Sequence, residues 1–224
     1  MIPPILITGC ARSGTSMTAG IFQLCGAFGG EVSGPNRHNK RGMFENVQVR
    51  EGIVKPYLRS IGMDALGQWP LPDIDNLVSI DNLKEQVESL MISEGYSSGA
   101  WYVKQAKFCL IWTAIIWAFP NAKWIIVRRT DEDIINSCLK TTFMRAFSDA
   151  PGWQKWIDVH KQRFEEMKKA GLLIKEVWPS KYVAGDFSEI KEAVEWAGLS
   201  WNEKEVLPFV EPALWSQNRR DSHG

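Results

Sequence analysis

Gly9-Cys10-Ala11-Arg12-Ser13-Gly14-Thr15-Ser16 places two glycines, one arginine and three side-chain hydroxyls within eight residues. Gly9 and Gly14 have the G-x-x-x-x-G spacing of a loop that grips phosphate with backbone N–H groups. The apolar run Ile5 to Thr8 before it suits a buried parallel strand. After it, Met17, Ile21, Leu24 and Cys25 fall on one face of a helix. Strand, glycine loop and helix start together point free N–H groups and the positive helix end at one anion. An ATP or GTP enzyme carries a lysine after the second glycine, where its ammonium reaches the β- and γ-phosphates. Here that position is Thr15. The loop therefore suits a nucleotide whose reactive end is less charged. A small P-loop kinase would also need an acid after a later strand, and the strand Trp124 to Val127 runs into Arg128-Arg129 instead.

Those arginines form a second anion-gripping group. Arg129 ends a strand, and Ser137 lies eight positions on, about two turns into the following helix. An arginine grips a phosphate through two parallel bonds and a serine hydroxyl adds a third. Lys104 ends another short strand, as a cleft cation or a solvated strand-end lysine. Residues 26–44 are rich in glycine and polar and basic side chains, among them Arg37, His38, Lys40 and Arg41. They read as a long functional loop. His160 reads as a packed histidine on the apolar face of a helix.

The elements that must position these groups alternate strand and helix. A helix is expected over Glu45 to Arg59, disturbed at Pro56, and another after Asp81 with Leu83, Val87, Leu90 and Met91 inward. Trp101 to Val103 reads as a strand, Phe108 to Phe119 as a buried helix closed by Pro120, and Lys123 to Val127 as a strand. Thr130 caps a helix carrying Ile134, Ile135, Cys138 and Leu139 inward. Trp153 to Lys169 is amphipathic, Tyr182 to Ala184 reads as a last strand, and Ser188 to Ala197 as a last clear helix. The expected fold is α/β: one domain over 1–224, with a central parallel sheet flanked by helices and a flexible tail over 216–224. In such sheets ligands sit beyond the carboxyl ends of the strands, where Gly9, Lys104 and Arg128-Arg129 all fall.

Net charge is zero, with 26 basic and 26 acidic side chains, so local clusters must carry any anion binding. Nucleic acid and membrane are not indicated as partners. The longest apolar run has 12 residues, too few to span a bilayer, and a core strand starts almost at Met1 without a leader. The four cysteines form no C-x-x-C pair and read as reduced, packed thiols of a cytoplasmic protein. No residue spacing points to a metal. Eleven tryptophans suit core packing and the floor of a cleft.

The lysine-free loop followed by the Arg129 and Ser137 pair resembles the sulfotransferases that use 3′-phosphoadenosine 5′-phosphosulfate (PAPS). Gly9 to Ser16 resembles the family's P-R-S-G-T-[ST] loop, with Ala11 for proline, and Arg129 to Ser137 resembles R-x-P-x-D-x-x-x-S, with Asp131 for proline. Asn39-Lys40-Arg41-Gly42-Met43-Phe44-Glu45 is similar to N-P-x-G-[YF]-F-E. Val103-Lys104-Gln105-Ala106-Lys107 is similar to V-K-D-P-R, without the Asp-Pro. No R-K-G motif stands near the C-terminus; Arg219 and Arg220 are the nearby cations. The resemblance implies PAPS as co-substrate, without a metal, and a hydroxyl acceptor that is a carbohydrate or small molecule. It implies that Ser13, Gly14, Thr15 and Ser16 hold the 5′-phosphate, and Arg129 and Ser137 the 3′-phosphate. Arg12 would stabilise the leaving oxygen, Lys104 would be a cleft cation, and Glu45 would be the acceptor-side base, with His38 next in line. The other reading of Glu45 is an ordinary helix-start acid. The altered Lys104 to Lys107 segment keeps open a nucleotide-binding module without catalysis.

Overall fold

The computed structural model describes residues 1–36 and 39–214. Arg37, His38, the expected tail and its Arg219 and Arg220 lie outside the described residues. Strands β1 (Ile5–Gly9), β2 (Tyr102–Lys104), β3 (Lys123–Val127) and β4 (Leu173–Val177) form one sheet in the order β2-β1-β3-β4. All neighbours are parallel. The architecture is the expected one, an α/β fold with a parallel sheet between helices.

Alternation along the strands divides the core in two. Leu6, Val103, Trp124 and Ile126 pack on one face with α3 (Leu83–Ser93), α5 (Asp131–Leu139) and α6 (Ala150–Lys169). Ile5, Ile7, Tyr102, Ile125 and Val127 pack on the other with α1 (Thr15–Leu24), α8 (Ser188–Trp196) and α9 (Glu203–Phe209). With both faces covered, β1, β2 and β3 are apolar almost throughout, which is why their sequences show no period of two.

β1 is flanked by β2 and β3, so the chain after Gly9, Lys104 and Val127 emerges side by side at one sheet edge. Ile7 is level with Lys104, and Gly9 with Val127. Thr8 fixes the segment after β2. Its hydroxyl donates to the Ala106 carbonyl at 3.0 Å and accepts from the Cys109 N–H at 3.0 Å.

Several local expectations are corrected. Phe108 to Phe119 is not one helix. A 3-10 turn spans Ala106–Ile111 and a short α4 spans Trp112–Ile116, and Trp117 is 79 % exposed. The Thr8 bridge holds the first part in the tighter turn. Tyr182 to Ala184 is no strand; Pro179 opens α7 (Pro179–Val183) there, as a proline in a first helical turn can. The last strand is β4, an edge strand whose Lys175 and Glu176 hide it from an apolar-run reading. Glu45 to Arg59 divides into a π-helical segment at Val49–Val54 and α2 (Lys55–Ser60), with Pro56 in the first turn of α2. Leu139, expected inward, is 46 % exposed. By contrast β3, the Thr130-capped α5 and the buried face of α6 stand as expected.

Thr8→Val keeps the shape and removes the bridge, so the buried Cys109 N–H loses the hydroxyl it donates to, while the Ala106 carbonyl keeps only the Cys109 thiol at 3.2 Å. We expect a loss of about 2 kcal/mol in urea unfolding, with Thr8→Ser losing less. A Thr8→Val protein as stable as the parent would contradict this role.

Candidate functional site

The loop after β1 is held tightly against the sheet. Gly9 has φ +152°, and a Cβ there would lie 2.5 Å from the Val127 carbonyl oxygen, so no side chain fits. Gly14 precedes α1 with φ +104°, the left-handed region that favours glycine. Arg12 takes φ +74° without being glycine, a strained backbone that functional loops tolerate. The Ser13 N–H donates to the Cys10 carbonyl at 3.1 Å, closing the turn. The first-turn N–H groups of α1 have no helical carbonyl behind them and carry the positive helix end.

Arg12, Gly14, Thr15 and Ser16 line a cleft of about 370 Å³ beyond the sheet edge. Ser13 does not join them. Its side chain is fully buried under the loop, and its hydroxyl has no hydrogen-bond partner among the described residues.

The second group meets the first. Arg12 Nε donates to Ser137 Oγ at 3.0 Å, across 125 residues of sequence. Arg129 Nη1 donates to the Arg12 carbonyl at 2.8 Å, and its Nε lies 3.8 Å from Asp133 Oδ2. Thr130 orients Asp133, its hydroxyl donating to the carboxylate at 2.8 Å. Arg12, Arg129 and Ser137 are therefore one cluster between the loop and α5.

Glu45 and Lys104 form the opposite wall. Lys104 Nζ donates to Glu45 Oε1 at 2.8 Å and lies 3.4 Å from Ser16 Oγ, so it stands between the carboxylate and the helix start. Arg50 Nη1 donates to Glu45 Oε2 at 3.2 Å. The Glu45 backbone carbonyl accepts from the Ser33 N–H at 2.8 Å, which fixes the end of the long loop. Burial alone would raise the Glu45 carboxyl. The charges of Lys104 and Lys107, the Lys104 hydrogen bond and the Arg50 charge outweigh it and hold the pKa at about 2. The loop is also clasped from the far end of the chain: Arg41 Nη2 donates to Glu211 Oε2 at 3.0 Å and to the Pro208 carbonyl at 3.3 Å.

Among the described residues, eight Lys and Arg side chains line the cleft against three Glu. A chain of zero net charge has thus concentrated positive charge where an anion would sit. Lys107, Arg50 and His160 are cleft residues that sequence reasoning left without a role. His160 is indeed buried, with its ring 4.0 Å from Trp156 and Nδ1 bonded to the Trp156 carbonyl. It also lines the cleft, and burial pushes its pKa down to about 4, so the ring is neutral at pH 7. Its place on an apolar helical face gave no sign of the cleft. Among the described residues no group of three or more His, Cys, Asp and Glu could hold a metal, and no helix is long and apolar enough to cross a membrane.

No protein-family model matches the chain, and no curated protein matches it. Among solved structures, it is similar to the sulfotransferase STF1 of Mycobacterium tuberculosis H37Rv, at 14 % identity and a TM-score of 0.38. That alignment covers 93 % of this chain and 76 % of the other.

Glu45→Gln leaves buried Lys104 without its carboxylate and is expected to cost about 3 kcal/mol at pH 7. In the parent the folded carboxyl titrates near 2 and the unfolded one near 4.5. Its stabilisation is thus complete above pH 4.5 and fades as the pH falls towards 2. The gap between parent and variant in urea unfolding should narrow over that window. A gap independent of pH would mean that Glu45 is not held as a buried anion.

Proposed function

We propose that the protein is a sulfotransferase, moving a sulfuryl group from PAPS to a hydroxyl of a small-molecule or carbohydrate acceptor. The observation that carries this reading is the joining of Arg12, Arg129 and Ser137 beside a phosphate loop that lacks a lysine. Two anion-gripping groups converge there, which suits a nucleotide with phosphate at both its 5′ and 3′ positions. The residues present fit such a ligand. The helix start offers N–H groups and the Thr15 and Ser16 hydroxyls to a 5′-phosphate, and Gly9 and Gly14 let the backbone come close. Arg129 and Ser137 are the donors for a 3′-phosphate. PAPS supplies an activated sulfuryl group, whose transfer forms an ester S–O bond and breaks the one to the leaving phosphate.

The chain's own groups take the remaining tasks. Arg12 lies at the loop with its guanidinium bonded to Ser137, and by turning from Ser137 towards the 5′ end of the nucleotide it would stabilise charge gathering on a leaving oxygen. Lys104 stands between Glu45 and the helix start and can divide its charge between the carboxylate and a bound anion. Glu45 is the acceptor-side carboxylate and would receive the hydroxyl proton. With its pKa held at about 2 by the cations, it is a weak base until Lys104 is drawn away. An acidic limb due to Glu45 therefore lies well below neutrality in the free protein, near that pKa of about 2. Retention of nucleotide binding without catalysis is the second reading, favoured by Gln105-Ala106 after Lys104 where the family carries Asp-Pro.

The test is incubation with radiolabelled PAPS and a library of alcohols, phenols and sugars. Labelled sulfate ester should form, and Glu45→Gln should slow it by roughly 10²–10⁴-fold while leaving nucleotide affinity intact. Arg12→Ala should also slow turnover, without changing the pH profile. Bound nucleotide with no labelled product from any acceptor would support the non-catalytic reading. Near-normal turnover by Glu45→Gln would remove Glu45 as the base.

A further inference from the structure

Lys107 differs from the cations around it. Lys104, Arg50, Lys55 and Arg41 each hold a carboxylate, at 2.8, 2.8, 2.6 and 3.0 Å. Lys107 lines the same cleft, is only 9 % exposed, and makes no hydrogen bond or ion pair among the described residues. A cleft-lining ammonium without a direct ion pair is open to a counter-charge brought by a ligand. Burial lowers its pKa and the field of Glu45 opposes that fall.

Its course through the protein is built. A Cβ at Gly67 would lie 2.7 Å from Lys107 Cγ and 3.0 Å from Cδ, so the lysine stem runs across bare glycine backbone. Gly67 has φ +73°, and its carbonyl accepts from Trp156 Nε1 at 3.0 Å. The Thr8 bridge to Ala106 and Cys109 holds the turn that carries Lys107. The cleft is also lined by apolar Leu66, Leu110, Phe143, Met144 and Trp156, while the charges that act on Lys107 are those of Glu45, Lys104, Lys55 and Arg50.

We infer that Lys107 is an anion subsite for the acceptor, which is a small hydroxyl compound with an apolar or aromatic body and a carboxylate, sulfate or phosphate group. The anionic group seats on Lys107, the body lies on the apolar wall, and the hydroxyl is left to Glu45. That the anion belongs to an acceptor rests on the sulfotransferase reading, whereas the anion subsite itself does not need it.

The test uses protein saturated with 3′-phosphoadenosine 5′-phosphate, so that the phosphate loop is filled. Calorimetric titrations with 4-hydroxybenzoate, 4-hydroxyphenyl phosphate and neutral 4-hydroxybenzamide compare ligands of one shape. At least one anionic probe should bind about tenfold or more tightly than the amide, and the stronger of the two tells carboxylate from phosphate. Lys107→Met should abolish that preference without changing nucleotide affinity, and Lys107→Arg should restore part of it. Equal binding of all three probes, or a preference that survives Lys107→Met, would overturn the proposal. If the nucleotide itself does not bind but a Lys107-dependent preference for the anion remains, the donor reading fails and the subsite stands.

Discussion

Lys104 and Glu45 are 59 residues apart, both almost fully buried, and joined at 2.8 Å. The rest of the cleft is arranged about this contact. It ties the end of β2 to the end of the long loop, and it brings an ammonium within 3.4 Å of the Ser16 hydroxyl at the start of α1. A buried ion pair is weak as a device for stability, because apolar residues of similar volume often serve as well or better. On the proposed function, a charged ligand exchanges contacts with the pair at the carboxyl edge of the parallel sheet. Arg50 on the far side of Glu45 would then keep the carboxylate partnered if Lys104 turned to such a ligand.

The opposite wall obeys a different constraint, close approach. Gly9 has no room for a Cβ beside the Val127 carbonyl, and that contact draws the loop against the end of β3. Arg129, just beyond β3, can then reach the Arg12 carbonyl, and Arg12 can reach Ser137 on α5. Both walls thus depend on the order β2-β1-β3, which sets the glycine loop after β1 between its two partners. A point where the strand order reverses, as it does about β1, is where ligands enter sheets of this kind.

Much of this was legible in the sequence because the decisive signals are local. A glycine spacing, an apolar run and a capping threonine each depend on a few neighbours, and they located β1, β3, α1 and α5. The meeting of Gly9, Lys104 and Arg129 came from the rule for strand ends. What stayed hidden depends on distant contacts. The tight turn at Ala106–Ile111 is set by Thr8, almost 100 residues earlier, and without it the segment reads as a helix. β4 is an edge strand and lacks the apolar run that betrays its neighbours. α9 contains Pro208, a residue that argues against a helix until its packing is seen. Ser13 carries a hydroxyl in a glycine loop of phosphate-binding spacing, and only the loop's fold reveals that it points inward. Lys107 looked like the tail of a motif, and that its side chain forms no direct ion pair among the described residues is a fact of tertiary structure alone.

The central claim is that two phosphate grips, one at the start of α1 and one at Arg129 and Ser137, serve a single nucleotide. Isothermal titration with 3′-phosphoadenosine 5′-phosphate and with ADP, on the parent and on Arg129→Ala, tests it most directly. Both ligands carry an adenosine 5′-phosphate, and only the first carries a 3′-phosphate. The first should bind more tightly by about 2 kcal/mol, roughly thirtyfold, and should lose that advantage in Arg129→Ala. Equal affinity of the parent for the two ligands would contradict the claim.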